Sequence, residues 1–130
     1  MLIGNLMTYQ PRTLSSKDTL QTAVAMMTTG GFRRLPIVDG DRLIGIITDR
    51  DIRSHLDHMN NLTIGEVMTT EIKTMTPRMT VEDAARLMIE HKIDGLPVMD
   101  NGKLVGIVTT TDVMKAFLRV EAGVQSIEEE

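Results

Sequence analysis

The chain has 130 residues, 42% of them apolar and 25% charged, too apolar for a disordered polymer and long enough for one compact domain or two very small ones sharing a core. The absence of cysteine excludes disulfides, thiolate nucleophiles and cysteine-based zinc sites together, and fits a reducing compartment. A net charge of −4 argues against a general nucleic-acid or anionic-membrane binder, and no apolar run approaches a membrane span, so a soluble cytoplasmic protein is expected.

The first twelve residues lack the basic segment and long apolar run of a secretory leader. A short extended piece is expected at Thr13-Leu14, then a helix from Leu20 to Thr29 with Leu20, Ala23, Val24 and Met27 on one face and Gly30-Gly31 as its stop. Leu35-Pro36-Ile37-Val38, the turn signal Asp39-Gly40 and Leu43-Ile44-Gly45-Ile46-Ile47 read as a β-hairpin. Its second strand is apolar on both faces and should be central. Another helix is expected to open at Thr48-Asp49-Arg50-Asp51.

From Ile64 the same signals return. Ile3 to Asp57 overlies Ile64 to Leu118 at a constant offset of 61 without a gap, with sixteen identities in fifty-five positions. Among them are Gly4 with Gly65, Met7 with Met68, Thr8 with Thr69, Thr13 with Thr74, Leu35-Pro36 with Leu96-Pro97, Gly45-Ile46 with Gly106-Ile107, Thr48 with Thr109 and Asp51 with Asp112. In the second copy the helix opens at Thr80, capped with Asp83, and shows Val81, Ala84, Ala85 and Met88 on one face. The hairpin is Leu96 to Met99, Asn101-Gly102 and Leu104 to Val108.

Each unit thus reads β-α-β-β-α, an α/β (α+β) fold in two repeats, 1–60 and 61–120, followed by an acidic tail over 121–130. Neither repeat alone can cover both faces of so small a sheet, so the two are expected to pack about an approximate two-fold axis with two clefts between them. With aromatic residues at 2% and eleven methionines, the core must be built from Leu, Ile, Val, Ala and Met.

Val67-Met68-Thr69, Thr74-Met75-Thr76-Pro77, Gly95-Leu96-Pro97-Val98 and the two Gly-to-Asp runs, Gly45 to Asp51 and Gly106 to Asp112, resemble the cystathionine-β-synthase (CBS) domain family, and the two copies together resemble the tandem called a Bateman module. The resemblance implies a regulatory sensor that binds AMP, ADP, ATP or S-adenosylmethionine between the copies, often as a disc-like homodimer, with no catalytic cofactor. Carried over by position, one site uses Thr48 and Asp51 for phosphate and ribose with Thr74, Gly95, Leu96 and Pro97 near adenine. The other uses Thr109 and Asp112 with Thr13, Leu35 and Pro36.

The chemistry of these residue types agrees with that assignment. An aspartate one turn into a helix can accept hydrogen bonds from both ribose hydroxyls, while the helix's free amides and positive end favour phosphate. The copies differ where the first has Arg33, Arg34 and Arg50 and the second has Asp94, Gly95 and Thr111, so only the Asp51 site has obvious cations for a phosphate tail.

Three other readings compete. Each Thr-x-x-Asp can be a plain helix cap. An enzyme finds no nucleophile elbow, no metal triad and no paired carboxylates here; His55 and His58 with Asp57 supply too few ligands for a metal site. A dimerisation module without a ligand could use the same hydrophobic faces, and the downstream effector protein is unknown from the residues.

Overall fold

The computed structural model describes residues 1–121. In chain order the elements are β1 (Thr8–Tyr9), α1 (Leu20–Gly30), β2 (Arg34–Asp39), β3 (Arg42–Thr48), α2 (Asp49–Arg53), α3 (Ile64–Val67), α4 (Val81–His91), β4 (Gly95–Asp100), β5 (Lys103–Thr109) and α5 (Thr110–Glu121), with short 3-10 turns at Ile3–Asn5 and Leu56–His58. Apart from Glu121, the expected acidic tail lies outside the described residues.

Side-chain chemistry accounts for where the longer helices begin and end. The Thr19 hydroxyl accepts the Thr22 N–H at the start of α1, and Gly31 closes that helix with a φ of 71°. At α4, Thr80 and Asp83 form a reciprocal capping box, and the left-handed closing position falls to Lys92 with a φ of 55°. Of the expected inward faces, Leu20, Ala23 and Met27 are buried on α1 and Ala84 and Met88 on α4, while Val24, Val81 and Ala85 are only half-buried.

Both hairpins have two-residue loops. The Asn101-Gly102 loop has positive φ at both residues, 53° and 79°. In the first hairpin Asp39 pairs with Arg42, so the loop is Gly40-Asp41, one residue later than the Asp39-Gly40 signal suggests. Gly40, at a φ of 64°, takes the left-handed position at the start of this loop without steric cost.

The chain divides into two compact units, and the division does not follow the repeats. One unit is Arg12–Ile72, called here the Asp51 unit; the other, the Asp112 unit, joins Met1–Pro11 to the chain from Lys73 onward. The repeats therefore exchange their leading segments. In the Asp51 unit, Leu14 bridges Ile37 in parallel on one side of the hairpin, while on the other side Thr69 bridges Ile46 antiparallel, exchanging N–H···O bonds of 2.8 and 2.9 Å. In the Asp112 unit, Met75 bridges Val98 in parallel and β1 pairs with β5, Thr8 opposite Ile107 and Tyr9 opposite Gly106. Thus β3 and β5 are the inner strands expected from their two apolar faces.

The exchanged segments bring their own apolar anchors. Ile64 is wholly buried among Leu14, Leu20, Ala23, Leu35, Ile37, Ile47 and Ile52 in the Asp51 unit. Ile3 is equally buried among Met75, Ala84, Met88, Leu96, Val98 and Val108 in the Asp112 unit. Each anchor is worth about 1.5–3 kcal/mol of apolar burial. Backbone bonds fasten them: Ile64 N–H donates to Asp18 O at 2.8 Å, and Ile3 N–H to Met79 O at 2.8 Å.

Candidate functional site

Each unit presents its Thr-x-x-Asp motif where the inner strand turns into a helix. In the Asp51 unit the Thr48 N–H donates to Asp51 Oδ2 at 3.0 Å and the Thr48 hydroxyl accepts the Asp51 N–H at 3.1 Å. In the Asp112 unit the Thr109 N–H donates to Asp112 Oδ2 at 2.8 Å, the Thr109 hydroxyl donates to the same oxygen at 3.1 Å, and Asp112 N–H returns to Thr109 Oγ1 at 3.4 Å. The helix-cap reading is therefore realised at both motifs. Capping uses part of each carboxylate, and the half-burial of Asp51 and Asp112 leaves acceptor sites open to solvent.

The arginines of the first copy gather at this corner. Arg33 holds the start of α2 through its carbonyl, which accepts the Asp49 N–H at 2.9 Å, Arg34 pairs with Thr48 across the hairpin, and Arg50 lies in the first turn of α2. Arg33 and Arg50 are exposed and Arg34 is half-buried. In the Asp112 unit the same geometry recurs with Asp94, whose carbonyl accepts the Thr110 N–H at 3.0 Å, with Gly95 opposite Thr109, and with Thr111 on the helix. One corner is cationic and its repeat counterpart is not.

Helix length changes the electrostatics expected of the two corners. The helix α2 is a single turn of five residues, whereas α5 has twelve. A macrodipole sums over aligned peptides, so α2 has little to offer an anion and any anion at the Asp51 corner depends on the guanidinium groups.

Of the residues expected near adenine, Gly95 pairs with Thr109 itself, whereas Thr13 and Thr74 lie on the side of β2 and β4 away from the inner strand. Thr13 precedes Leu14, whose N–H donates to Pro36 O at 3.1 Å; Thr74 precedes Met75, whose N–H donates to Pro97 O at 3.0 Å. Thr13 is half-buried and Thr74 exposed. Leu35 and Leu96, at 1% and 0% exposure, are core residues of their own units, and Pro36, Pro97 and Gly95 are also buried. Within each unit Thr13 stands beside Pro36 and Thr74 beside Pro97, separate from the Thr-x-x-Asp corner at the other side of the hairpin.

A residue outside the expected set touches the Asp51 carboxylate. The Thr69 hydroxyl lies 3.4 Å from Asp51 Oδ1 and 3.3 Å from Oδ2. Its sequence signals are its identity with Thr8 across the repeat and its place in Val67-Met68-Thr69, neither of which points to Asp51. His55, weighed for metal binding, instead places Nδ1 3.0 Å from the Asp51 carbonyl oxygen, and among the described residues no three His, Cys, Asp or Glu side chains gather as a metal site.

A family model for the CBS domain matches residues 3–58 and 64–119. The chain belongs to the CBS-domain family and carries two copies of that domain. It is similar to the CBS domain-containing protein YhcV of Bacillus subtilis (strain 168), 38% identical over 85% of this chain and 81% of that protein. Among solved structures, the CBS domain pair of protein MJ0100, in complex with 5′-methylthioadenosine and S-adenosyl-L-methionine, is 34% identical with a TM-score of 0.83, covering 90% of this chain and 99% of that one. CBSX2 in complex with AMP is 26% identical with a TM-score of 0.82, covering 92% and 98%. The chain spans only 21% of the length of an inosine-5′-monophosphate dehydrogenase of Korarchaeum cryptofilum, to which it is 34% identical over 78% of its own residues. Among the described residues no helix is long and apolar enough to cross a membrane.

Proposed function

We propose that this chain is a cytoplasmic regulatory module that senses an adenosine-containing ligand, AMP, ADP, ATP or S-adenosylmethionine, and performs no chemistry on it. The observation that carries the reading is the repeated Thr-x-x-Asp corner, in which each capping box fixes an aspartate while leaving carboxylate acceptors for a ribose diol. The complexes of MJ0100 and CBSX2 support the ligand class, since all three of their ligands contain adenosine.

Charge divides the ligands between the two corners. Arg33, Arg34 and Arg50 suit the phosphates of AMP, ADP or ATP beside Asp51. The Asp112 corner, with Asp94 and Thr111 in place of arginines, suits a ligand with a cationic or neutral tail, of which S-adenosylmethionine is the example. Ligand binding would act by favouring one arrangement of the protein over another and passing that bias to an effector protein.

The test is thermal unfolding of the full chain with AMP, ADP, ATP, S-adenosylmethionine and GTP at millimolar concentration. A ligand at a hundred times its dissociation constant adds about 2.7 kcal/mol, a rise of several degrees in the midpoint. Selective stabilisation by adenosine ligands is expected; none from any of them would leave an assembly role as the better reading.

One observation favours assembly in addition to sensing. Met114, Phe117 and Leu118 form an exposed stripe on α5, and Ile89 is exposed on the neighbouring α4. Their counterparts in the other repeat are Arg53, Leu56, Asp57 and Thr28. An apolar face on one repeat alone suits an isologous homodimer through that face. Light scattering should find a dimer that Phe117→Glu converts to a monomer with unchanged ligand binding.

A further inference from the structure

We propose that the Thr69 hydroxyl is a placeholder for ribose on Asp51, occupying the outer edge of the carboxylate until a diol displaces it; the proposal rests on the adenosine-binding reading above. The hydroxyl sits at nearly equal distances from the two carboxylate oxygens, 3.4 and 3.3 Å, on the edge where a vicinal diol would place one proton on each. Its single proton can serve both oxygens only as one weak, bifurcated bond, and both distances exceed the 2.5–2.8 Å of a good O–H bond to a carboxylate. A diol exchanges this one long contact for two short charge-assisted ones, so the displacement is favourable but not free.

The local architecture lets the hydroxyl leave without the backbone moving. Thr69 is exposed, and its main chain is pinned by both hydrogen bonds to Ile46, so a change of its χ1 rotamer is sufficient. In the Asp112 unit the counterpart is Thr8, paired with Ile107 in the same manner, but there Asp112 is bonded by Thr109 alone among the described residues. The placeholder therefore belongs to one corner. It also ties occupancy of Asp51 to a segment belonging, in sequence, to the other repeat, three residues before the Asp51 unit ends at Ile72.

The experiment measures binding of AMP and of S-adenosylmethionine to the wild-type chain, Thr69→Val, Thr69→Ser and Asp51→Asn by calorimetry. Valine keeps the shape and removes the competing hydroxyl, so Thr69→Val should tighten binding at the Asp51 corner by about threefold to tenfold, the scale of one weak hydrogen bond. Thr69→Ser should match wild type, and the gain in Thr69→Val should shrink with 2′-deoxy-AMP, which needs only one carboxylate oxygen. Unchanged or weaker AMP binding in folded Thr69→Val, with binding lost in Asp51→Asn, would overturn the placeholder and leave the adenosine reading standing. A folded wild-type chain that binds neither ligand would overturn the adenosine reading itself, and the placeholder with it.

Discussion

The sulfur of Met7 lies 2.6 Å from where a Cβ on Gly106 would stand, and the Thr8 carbonyl oxygen lies 2.9 Å from the same point. The exchanged segment is thus laid directly on the bare backbone of the inner strand. Gly45 repeats the arrangement under Met68, with the Thr69 carbonyl oxygen 3.1 Å from its hypothetical Cβ. These contacts explain why Met7, Met68, Gly45 and Gly106 are identical across the repeat: the strand can carry no side chain where the segment crosses it.

A methyl group at Gly106 meets backbone as well as a flexible sulfur, so the segment must lift. Gly106→Ala is expected to destabilise the protein by about 1–3 kcal/mol, the usual cost of overpacking a tight contact. Urea denaturation would measure it as a lower midpoint with an unchanged slope.

The two site carboxylates should not be equivalent for phosphorylated ligands. Asp51→Ala is expected to reduce ATP affinity more than Asp112→Ala, and Arg33→Ala with Arg50→Ala should weaken ATP more than S-adenosylmethionine. Calorimetric titration at two salt concentrations checks this, because phosphate contacts with exposed arginines weaken as salt rises. Loss of ATP binding in Asp112→Ala but not in Asp51→Ala would reverse the assignment.

Acid should weaken the fold through its capping boxes. The Thr63 N–H and hydroxyl bonds hold the Glu66 carboxyl below its usual range, and the Thr80 N–H and hydroxyl bonds do the same for Asp83, with Arg86 a smaller influence. Both groups have a folded pKa below the unfolded one, so the unfolded chain binds more protons. Their contribution is complete above the ordinary carboxylate value of about 4 and is lost as pH falls through the depressed folded values. A series of melting temperatures from pH 6 to pH 3 should fall less steeply in Glu66→Gln and Asp83→Asn than in wild type.

The end of α4 offers the opposite change. Lys92 occupies a left-handed position, φ 55°, that its repeat counterpart Gly31 fills with glycine at φ 71°. A non-glycine residue there carries about 1–2 kcal/mol of steric cost, part of which glycine gives back as unfolded-state entropy. Lys92→Gly is therefore expected to stabilise by up to about 1 kcal/mol, seen as a higher thermal midpoint.

Much of this protein follows from local pattern. The offset of 61, the capping signals at Thr80 and Thr48, the helix stop at Gly31 and the two hairpins can all be read from the residues, because each depends on chemistry within a few positions of itself. The Asp51 and Asp112 corners are legible for the same reason, since a capping box joins residues three apart. The loop at Gly40-Asp41 was displaced by one residue because Asp39-Gly40 and Gly40-Asp41 carry nearly the same turn signal, and only pairing register separates them.

Two features were decided by tertiary structure alone. Met7-Thr8 and Met68-Thr69 are identical, and so are Gly45-Ile46 and Gly106-Ile107, so the residues permit each segment to lie on either inner strand. The fold seats Thr8 on Ile107 and Thr69 on Ile46, exchanging the segments between repeats and moving the packing boundaries to Pro11/Arg12 and Ile72/Lys73. The contact of Thr69 with Asp51 follows from that exchange and spans eighteen positions, beyond the reach of local periodicity. Repetition in a sequence specifies which surfaces match; when they match in duplicate, only the folded chain determines which copy meets which.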